Sequence, residues 1–180
     1  MKSIARMSSA ELAAFVESHL RKRGIDVVLS GGACVAFYSD DKYVSMDLDL
    51  INLYFAKRST IREAMKEIGF SEDGRHFVHS DTDFLVEFPG GPLSVGEEPV
   101  SRVDKYKLAT GILRIISPTD CVKDRLAAYY HWSDAQGLEQ ALLVAHAKKI
   151  DLKEIERWSK VGRKLMEFKH FKDRFIKKKA

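Results

Sequence analysis

The sequence has only two cysteines and four prolines among its 180 residues. It contains no CxxC pair and no cysteine close to a histidine, which argues against a cysteine-based zinc site. Cys34 and Cys121 lie in apolar segments of helical character and would allow one disulfide. We expect instead two buried free thiols, because the reducing cytoplasm keeps cysteines unpaired.

The sequence also lacks a long hydrophobic run. No stretch approaches the roughly 18–20 consecutive apolar residues of a membrane-spanning helix, and the first residues lack the uninterrupted apolar core of a signal peptide. Hydrophobic residues make up 45% of the chain and charged residues 31%, a balance that supports a buried core and excludes disorder of compositional origin. We therefore predict a cytoplasmic protein that has no membrane partner.

The excess of positive charge is small and unevenly distributed. The formal net charge is +4, but residues 158–180 alone carry nine lysines and arginines against two acidic residues. The rest of the chain is therefore slightly acidic. A basic C-terminal segment predicts contact with a phosphate-bearing partner such as RNA. The alternative is an amphipathic helix that packs against the protein.

Hydrophobic periodicity divides the chain into two regions. Residues 1–116 alternate helical and extended patterns, and residues 117–180 contain helical patterns alone. We predict an α/β (α+β) protein with a mixed β-sheet flanked by helices over 1–116, followed by a C-terminal helical region, 117–180, packed on it. The predicted helices cover 8–23, 33–38, 59–69, 119–132, 134–148, 152–160 and 163–178, and the predicted strands cover 26–30, 46–53, 75–80, 83–88, 103–107 and 112–116.

One short segment carries residues suited to phosphate and metal chemistry. A buried strand ends at Ser30, and Gly31 and Gly32 follow where a helix begins. Glycines let a backbone approach a ligand closely, and the N–H groups at a helix N-terminus bind phosphate oxygens. Asp47 and Asp49 lie two positions apart on the next strand, so both carboxylates share one face. Two like charges held together favour a cation, and Mg²⁺ is the one shared with phosphate substrates.

In this order the segment resembles the nucleotidyltransferase superfamily of the polymerase β type, and within it the abortive-infection and minimal nucleotidyltransferase branch. The matching motifs are LSGG at residues 29–32 and MDLDL at residues 46–50. The 14 residues between the second glycine and the first aspartate are more than is usual in the superfamily. We expect an extra turn around Asp40 and Asp41 to absorb the difference.

The resemblance implies a site and a reaction. Asp47 and Asp49, together with a third carboxylate on a later strand, would bind one or two Mg²⁺ ions. Ser30 and the amides of Gly31 and Gly32 would hold the β and γ phosphates of a nucleoside triphosphate (NTP). The reaction would transfer a nucleoside monophosphate (NMP) to a hydroxyl acceptor.

Glu87 is the predicted third carboxylate, both as a catalytic residue and as a metal ligand. It lies inside the strand 83–88 with hydrophobic neighbours, as the family position does, and Asp83 and Asp81 are the alternatives. A glutamate is less typical than an aspartate at this position. This departure favours, as a second hypothesis, a nucleotidyltransferase fold that has lost catalysis and binds nucleic acid or protein.

Two further segments have residues that could contact the nucleotide or the acceptor. By the same resemblance, Lys123 would face the nucleotide phosphates, and Asp134 would lie close by. The alternative for Lys123 is a solvated helix residue, and the alternative for Asp134 is an ordinary helix cap. The glycine-rich loop 89–99 directly follows the third-carboxylate strand and would either flank the acceptor or form a simple surface connection.

The sequence therefore predicts a Mg²⁺-dependent nucleotidyltransferase whose acceptor is RNA, a protein or a small molecule. The branch that it resembles implies a link to toxin–antitoxin or abortive-infection systems. An aminoglycoside-like modifying enzyme is a third hypothesis, which an acidic acceptor groove would favour because such acceptors are cationic.

Overall fold

The computed structural model describes residues 2–177 and contains a seven-stranded mixed sheet in the order β3-β4-β5-β2-β1-β9-β8. The helices are α1 Ser9–Lys22, α2 Gly31–Tyr38, α3 Arg58–Glu67, α4 Pro118–Trp132, α5 Ala135–Ala147, α6 Leu152–Val161 and α7 Leu165–Lys177. The strands are β1 Val27–Ser30, β2 Asp47–Asn52, β3 Ser71–Asp73, β4 His76–His79, β5 Thr82–Glu87, β6 Ser94–Val95, β7 Glu98–Pro99, β8 Val103–Leu108 and β9 Gly111–Ile116. The pairs β2–β5 and β1–β9 are parallel, and the other neighbours are antiparallel. The predicted fold class, a mixed sheet with a C-terminal helical region, is confirmed.

The helix starts follow local capping chemistry at most of the predicted places. The Ser8 hydroxyl accepts a hydrogen bond from the backbone N–H of Glu11, and the Glu11 carboxylate accepts one from the backbone N–H of Ser8, as the capping-box spacing predicts. Ser117 caps α4 ahead of a proline, and Asp134 caps α5. The prediction for α3 was wrong by one residue. That helix begins at Arg58, whose side chain binds Glu72 on β3, and Lys57 occupies the cap without a side-chain bond.

A single hydrophobic core serves both predicted regions. It includes Leu29 and Leu48 of the sheet together with Leu126 of α4 and Phe171 of α7, all buried. Burial of apolar surface on both sides of residue 117 joins the helical region to the sheet. The division at residues 116 and 117 stays a prediction about chain organisation.

Both cysteines are buried free thiols, as expected. Burial raises the pKa of the Cys34 thiol well above its usual range, and the neighbouring Cys121 side chain adds to the shift. A protonated, inaccessible thiol is a poor nucleophile and a poor metal ligand. No helix in residues 2–177 is long and apolar enough to cross a membrane.

Candidate active site

Three candidate residues lie in one row across three neighbouring strands. Ser30 at the end of β1 pairs with Asp49 on β2, and Asp49 pairs with Glu87 on β5. Residues in register on adjacent strands point to the same face of a sheet, at a strand spacing of about 4.8 Å. Asp47 lies two residues before Asp49 and therefore shares that face. The sheet thus brings Ser30, Asp47, Asp49 and Glu87 together at one end of the same face.

Gly31 fits against the carboxylate of Asp49. Its φ is +69°, and a Cβ at this position would lie 2.0 Å from Oδ2 of Asp49. Gly32 in turn packs beside Ser45 and Tyr43, in the stretch that leads into β2. Close approach therefore requires a glycine at position 31, whereas the contact at Gly32 is tight but with a flexible side chain. The first turn of α2 lies directly beside the aspartate.

The long connection between Gly32 and Asp47 contains a tight backbone turn. Asp40 and Asp41, which follow α2, both have positive φ, at 54° and 58°. Left-handed residues in succession form a tight turn. This is the extra turn that the sequence predicts, and it lets β2 return beside β1.

Asp49 is the titratable group that this arrangement perturbs most clearly. Burial raises the pKa of its carboxyl to about 6, and the nearby charges of Glu87 and then Asp47 contribute to the rise. The guanidinium of Arg125 opposes the shift. A carboxylate that is held near two others, and is only partly offset by one guanidinium, is a favourable ligand for a divalent metal ion.

Glu87 lies beside Asp49, but its charge is partly compensated. One carboxylate oxygen, Oε2, lies 3.4 Å from Nε of Arg75 and 3.5 Å from Nε2 of His76. His76 occupies the next position of the same row, because it pairs with Glu87 across β4 and β5. Glu87 therefore contacts the β3–β4 turn instead of converging fully on the two aspartates.

The carboxylates of this face meet the requirements of Mg²⁺ only in part. Within residues 2–177, no group of three or more histidine, cysteine, aspartate and glutamate side chains is arranged to hold a metal ion. Asp47 and Asp49 nevertheless suit Mg²⁺, because this ion is commonly bound by one or two carboxylates and completed by water and substrate phosphates. The pair fits a single ion, and a second ion would also need Glu87.

The structure places Lys123 away from this row. Its side chain is 2% exposed, and its Nζ lies 3.1 Å from Oε1 of Glu154 and 3.4 Å from Oδ1 of Asp120. Arg157 and then Lys123 lower the pKa of Glu154 to about 2. The ammonium of Lys123 is therefore neutralised inside the helical region, and this geometry does not support its predicted role in phosphate binding.

We expect replacement of Lys123 by methionine to destabilise the fold without weakening nucleotide binding. The variant leaves the buried carboxylate of Asp120 without its cation, which should lower the free energy of unfolding by about 2 kcal/mol. Urea unfolding measures this loss, and replacement of the exposed Lys160 by methionine is the control. Loss of nucleotide affinity at unchanged stability would instead assign Lys123 to the site.

The next two residues of α4 are the ones that face the site. Asp124 lines a small pocket together with Ser30, and both Asp124 and Arg125 influence the pKa of Asp49. Arg125 is held by Asp124 and by Oε1 of Gln140. Successive residues of a helix are about 100° apart around its axis, so the sequence could place a cation on this helix but not decide which residue faces inward.

Three of the seven lysines and arginines in residues 158–177 form ion pairs within the protein. Lys164 contacts Glu167, Lys172 contacts Glu156, and Arg174 forms a two-point ion pair with Glu139. Phe168, Phe171 and Phe175 are buried. Residues 158–177 thus form amphipathic helical structure packed on the protein, and the basic residues of 178–180 lie outside the described chain.

Comparison with known proteins gives structural matches only. No protein-family model matches this chain, and no curated protein does. The solution structure of the antibiotic-resistance factor ANT(2'')-Ia is similar, with 13% identity, a TM-score of 0.51, and coverage of 95% of this chain and 94% of that one. The crystal structure of ANT(2'')-Ia in complex with adenylyl-2''-tobramycin has 12% identity, a TM-score of 0.50, and coverage of 89% and 95%.

The chain has a nucleotidyltransferase-type fold. The similarity extends over almost the whole of both chains, so it includes the C-terminal helices as well as the sheet. At this low identity it establishes the nucleotidyltransferase-type fold and leaves the activity to be argued from the site. The abortive-infection branch stays a prediction.

Proposed function

We propose that this protein is a Mg²⁺-dependent nucleotidyltransferase that transfers an NMP from an NTP to a hydroxyl acceptor. The row of Ser30, Asp49 and Glu87 at the start of α2, with Asp47 on the same face, is the observation that carries the proposal. A phosphate-binding helix start beside paired carboxylates is the arrangement that phosphoryl-transfer chemistry needs.

The start of α2 would orient the triphosphate. The Ser30 side chain makes no cap hydrogen bond to the helix, and its Oγ lies 3.4 Å from the carbonyl oxygen of Asp49. Its hydroxyl can therefore turn to a phosphate oxygen, next to the free N–H groups of the first turn. Holding the β and γ phosphates here aligns the α-phosphorus for attack, and such positioning supplies much of the rate enhancement in phosphoryl transfer.

Asp47 and Asp49 would hold Mg²⁺. When bound, the ion neutralises the triphosphate and the pyrophosphate that leaves. Glu87 lies next along the row and would accept the proton of the attacking hydroxyl or help to hold a second ion. Either role needs its carboxylate to exchange Arg75 and His76 for the substrate, since both now contact it.

The charges around Asp49 favour a cationic small molecule as the acceptor. Besides burial, the charges of Glu87, Asp47 and Asp124 raise the pKa of Asp49, and the guanidinium of Arg125 lowers it. An acidic surrounding attracts a cationic compound and repels a polyanion. RNA, through residues 158–180, is the less favoured acceptor because several cations there are paired within the protein. A protein acceptor and a role in toxin–antitoxin systems stay predictions.

Transfer of label from an NTP tests the proposal. The protein is incubated with each of four α-labelled NTPs and Mg²⁺, first with tobramycin and then with total tRNA as the acceptor. We expect label on the small cationic compound, and none with the Asp47→Asn/Asp49→Asn variant. Absence of NTP binding to the wild-type protein by calorimetry would contradict the proposal.

The contacts of Glu87 favour a second candidate function, a binding module without catalysis. If Arg75 and His76 hold this carboxylate permanently, the site would bind a nucleotide and transfer nothing. The two functions are separated by calorimetry and labelling on the same sample. Nucleotide binding without transfer to any acceptor would support the module.

The raised pKa of Asp49 predicts that Mg²⁺–nucleotide affinity depends on pH. The ionised carboxylate binds the metal ion, so affinity is present above the pKa of about 6 and falls as the pH drops through it. Between about pH 7 and pH 5 we expect roughly a tenfold loss. Titration of Mg²⁺ with a non-hydrolysable ATP analogue measures it. The Asp49→Asn variant, which has no group to titrate at this position, should lack this step, and a wild-type protein with the same flat profile would contradict the assignment.

A further inference from the structure

A short hairpin covers part of the sheet face that carries the aspartates. Strands β6 and β7 pair with each other, and the segment around them lines a pocket with Ser30, Ile51 and Asp124. Ile51 follows Asp49 by two residues and so shares its face. The hairpin therefore lies directly beside the proposed nucleotide site.

The pocket under this hairpin is too small for a nucleotide. Its volume is about 110 Å³, whereas pockets for small-molecule ligands typically measure about 300–1,000 Å³. With the hairpin in this position, a triphosphate at Ser30 has little room on the Ile51 side of the face. The hairpin has to move outward for a nucleotide to use that space.

One two-point ion pair ties the hairpin to the helical region. Arg157 of α6 donates from its two terminal nitrogens to the two carboxylate oxygens of Glu98, at 3.1 and 2.5 Å. Arg157 also binds Glu154, which in turn binds Lys123. The pair is accessible, because the Arg157 side chain is 49% exposed. The Arg157–Glu98 pair thus connects α6, which is itself joined to α4 through Glu154 and Lys123, to a hairpin whose strands are two residues long.

We propose that Arg157 is a positioning residue that, through Glu98, holds the β6–β7 hairpin closed over the nucleotide pocket, and that opening of this pair admits the triphosphate. The inference rests on the proposed function, since it concerns the same site. A protein whose binding-competent form is only partly populated binds its ligand more weakly by that fraction. Breaking the pair should therefore tighten nucleotide binding.

Two variants open the hairpin in different ways. Glu98→Gln removes the charge on the hairpin, and Arg157→Gln removes the one on α6 and leaves Glu154 paired with Lys123. For both we expect faster hydrogen exchange over residues 93–100, with affinity for a non-hydrolysable Mg²⁺–ATP analogue tighter by about two- to fivefold. The KM for the NTP should fall by the same factor while kcat is unchanged.

The matched control is the Arg174–Glu139 pair. It has the same two-point geometry but joins α7 to α5. We expect Arg174→Gln and Glu139→Gln to leave both hydrogen exchange over 93–100 and nucleotide affinity unchanged.

A cross-link that locks the hairpin closed tests the reverse effect on nucleotide binding. In a Glu98→Cys/Arg157→Cys variant, a short bis-maleimide linker should join the two introduced thiols, because Cys34 and Cys121 are buried. We expect the linked protein to bind the nucleotide at least about tenfold more weakly than the same variant before linking.

The outcomes separate the two proposals. If the wild-type protein binds nucleotide but the opened variants bind it equally or more weakly, or the linked protein keeps its affinity, the hairpin does not control entry and this inference is wrong. If no form binds any NTP, the proposed function fails, and the control of nucleotide entry fails with it, even where hydrogen exchange shows that the ion pair holds the hairpin.

Discussion

Replacement of Asp49 by asparagine is expected to lower the rate of nucleotidyl transfer by about a thousandfold. The carboxylate lies between Ser30 and Glu87 in the row across the sheet, where a metal ion would meet the triphosphate. Loss of one metal-binding charge removes several kcal/mol of transition-state stabilisation, and each 1.36 kcal/mol is a factor of ten in rate. Steady-state transfer of label from an NTP measures the change.

The same substitution should leave the fold intact. The pKa of Asp49 is raised to about 6, so its ionised form is disfavoured in the folded protein at higher pH. An uncharged asparagine removes that cost, and we expect a Tm at pH 8 equal to or above that of the wild type. A loss of activity with retained stability indicates a functional group rather than a structural one.

Asp83 provides the matched control. It is an exposed acid on β5, four residues before Glu87 and on the same side of that strand. Asp83→Asn should keep full activity, and a loss as large as that of Asp49→Asn would show that general acidity of this edge, rather than the metal pair, is what matters.

Replacement of Gly31 by alanine should be almost as damaging to activity. The added Cβ would lie 2.0 Å from Oδ2 of Asp49, so either the aspartate or the start of α2 must shift. Misplacement of a reacting group by about 1 Å costs roughly a hundredfold in rate. We expect a loss of that size in transfer, together with weaker binding of the Mg²⁺–NTP complex by calorimetry.

Gly24→Ala separates this contact from backbone strain. Gly24 has nearly the same φ, +72° against +69°, but nothing lies within 4 Å of a Cβ placed there. Both variants should lose about 1 kcal/mol of stability through the left-handed conformation. Gly31→Ala should lose more because of its contact with Asp49, and only Gly31→Ala should lose activity. Equal activities of the two variants would mean that the contact between Gly31 and Asp49 has no functional role.

The elements that depend on neighbouring residues were predictable from the sequence. The capping box of Ser8, the proline-led start of α4 and the alternating pattern of β2 are local features, and each element formed close to its predicted bounds. The order of strand, glycine pair, helix and second strand likewise predicted the fold class. These features need no knowledge of distant contacts.

The shortest strands and the ion pairs of the C-terminal helices were not predictable in this way. Strands β3, β6 and β7 are only two or three residues long, too short for a periodic pattern, and loop 89–99 therefore showed no strand signal. The charges of the C-terminal helices suggested an open basic surface. Lys172 and Arg174 of α7 instead pair with Glu156 of α6 and Glu139 of α5, and only the packing of these helices brings the partners together.

Local residue patterns were enough to predict the fold class, the start of α2 at the glycine pair and the shared face of Asp47 and Asp49, because helix and strand periodicities fix these features locally. Tertiary packing set the contacts of Glu87, which pairs with Asp49 yet contacts Arg75 and His76. It also decided that Lys123 turns into the helical region, because the rotation of a helix is set by what packs against it. Even the two cysteines followed this division: their small number argued against a zinc site, and packing buried both thiols.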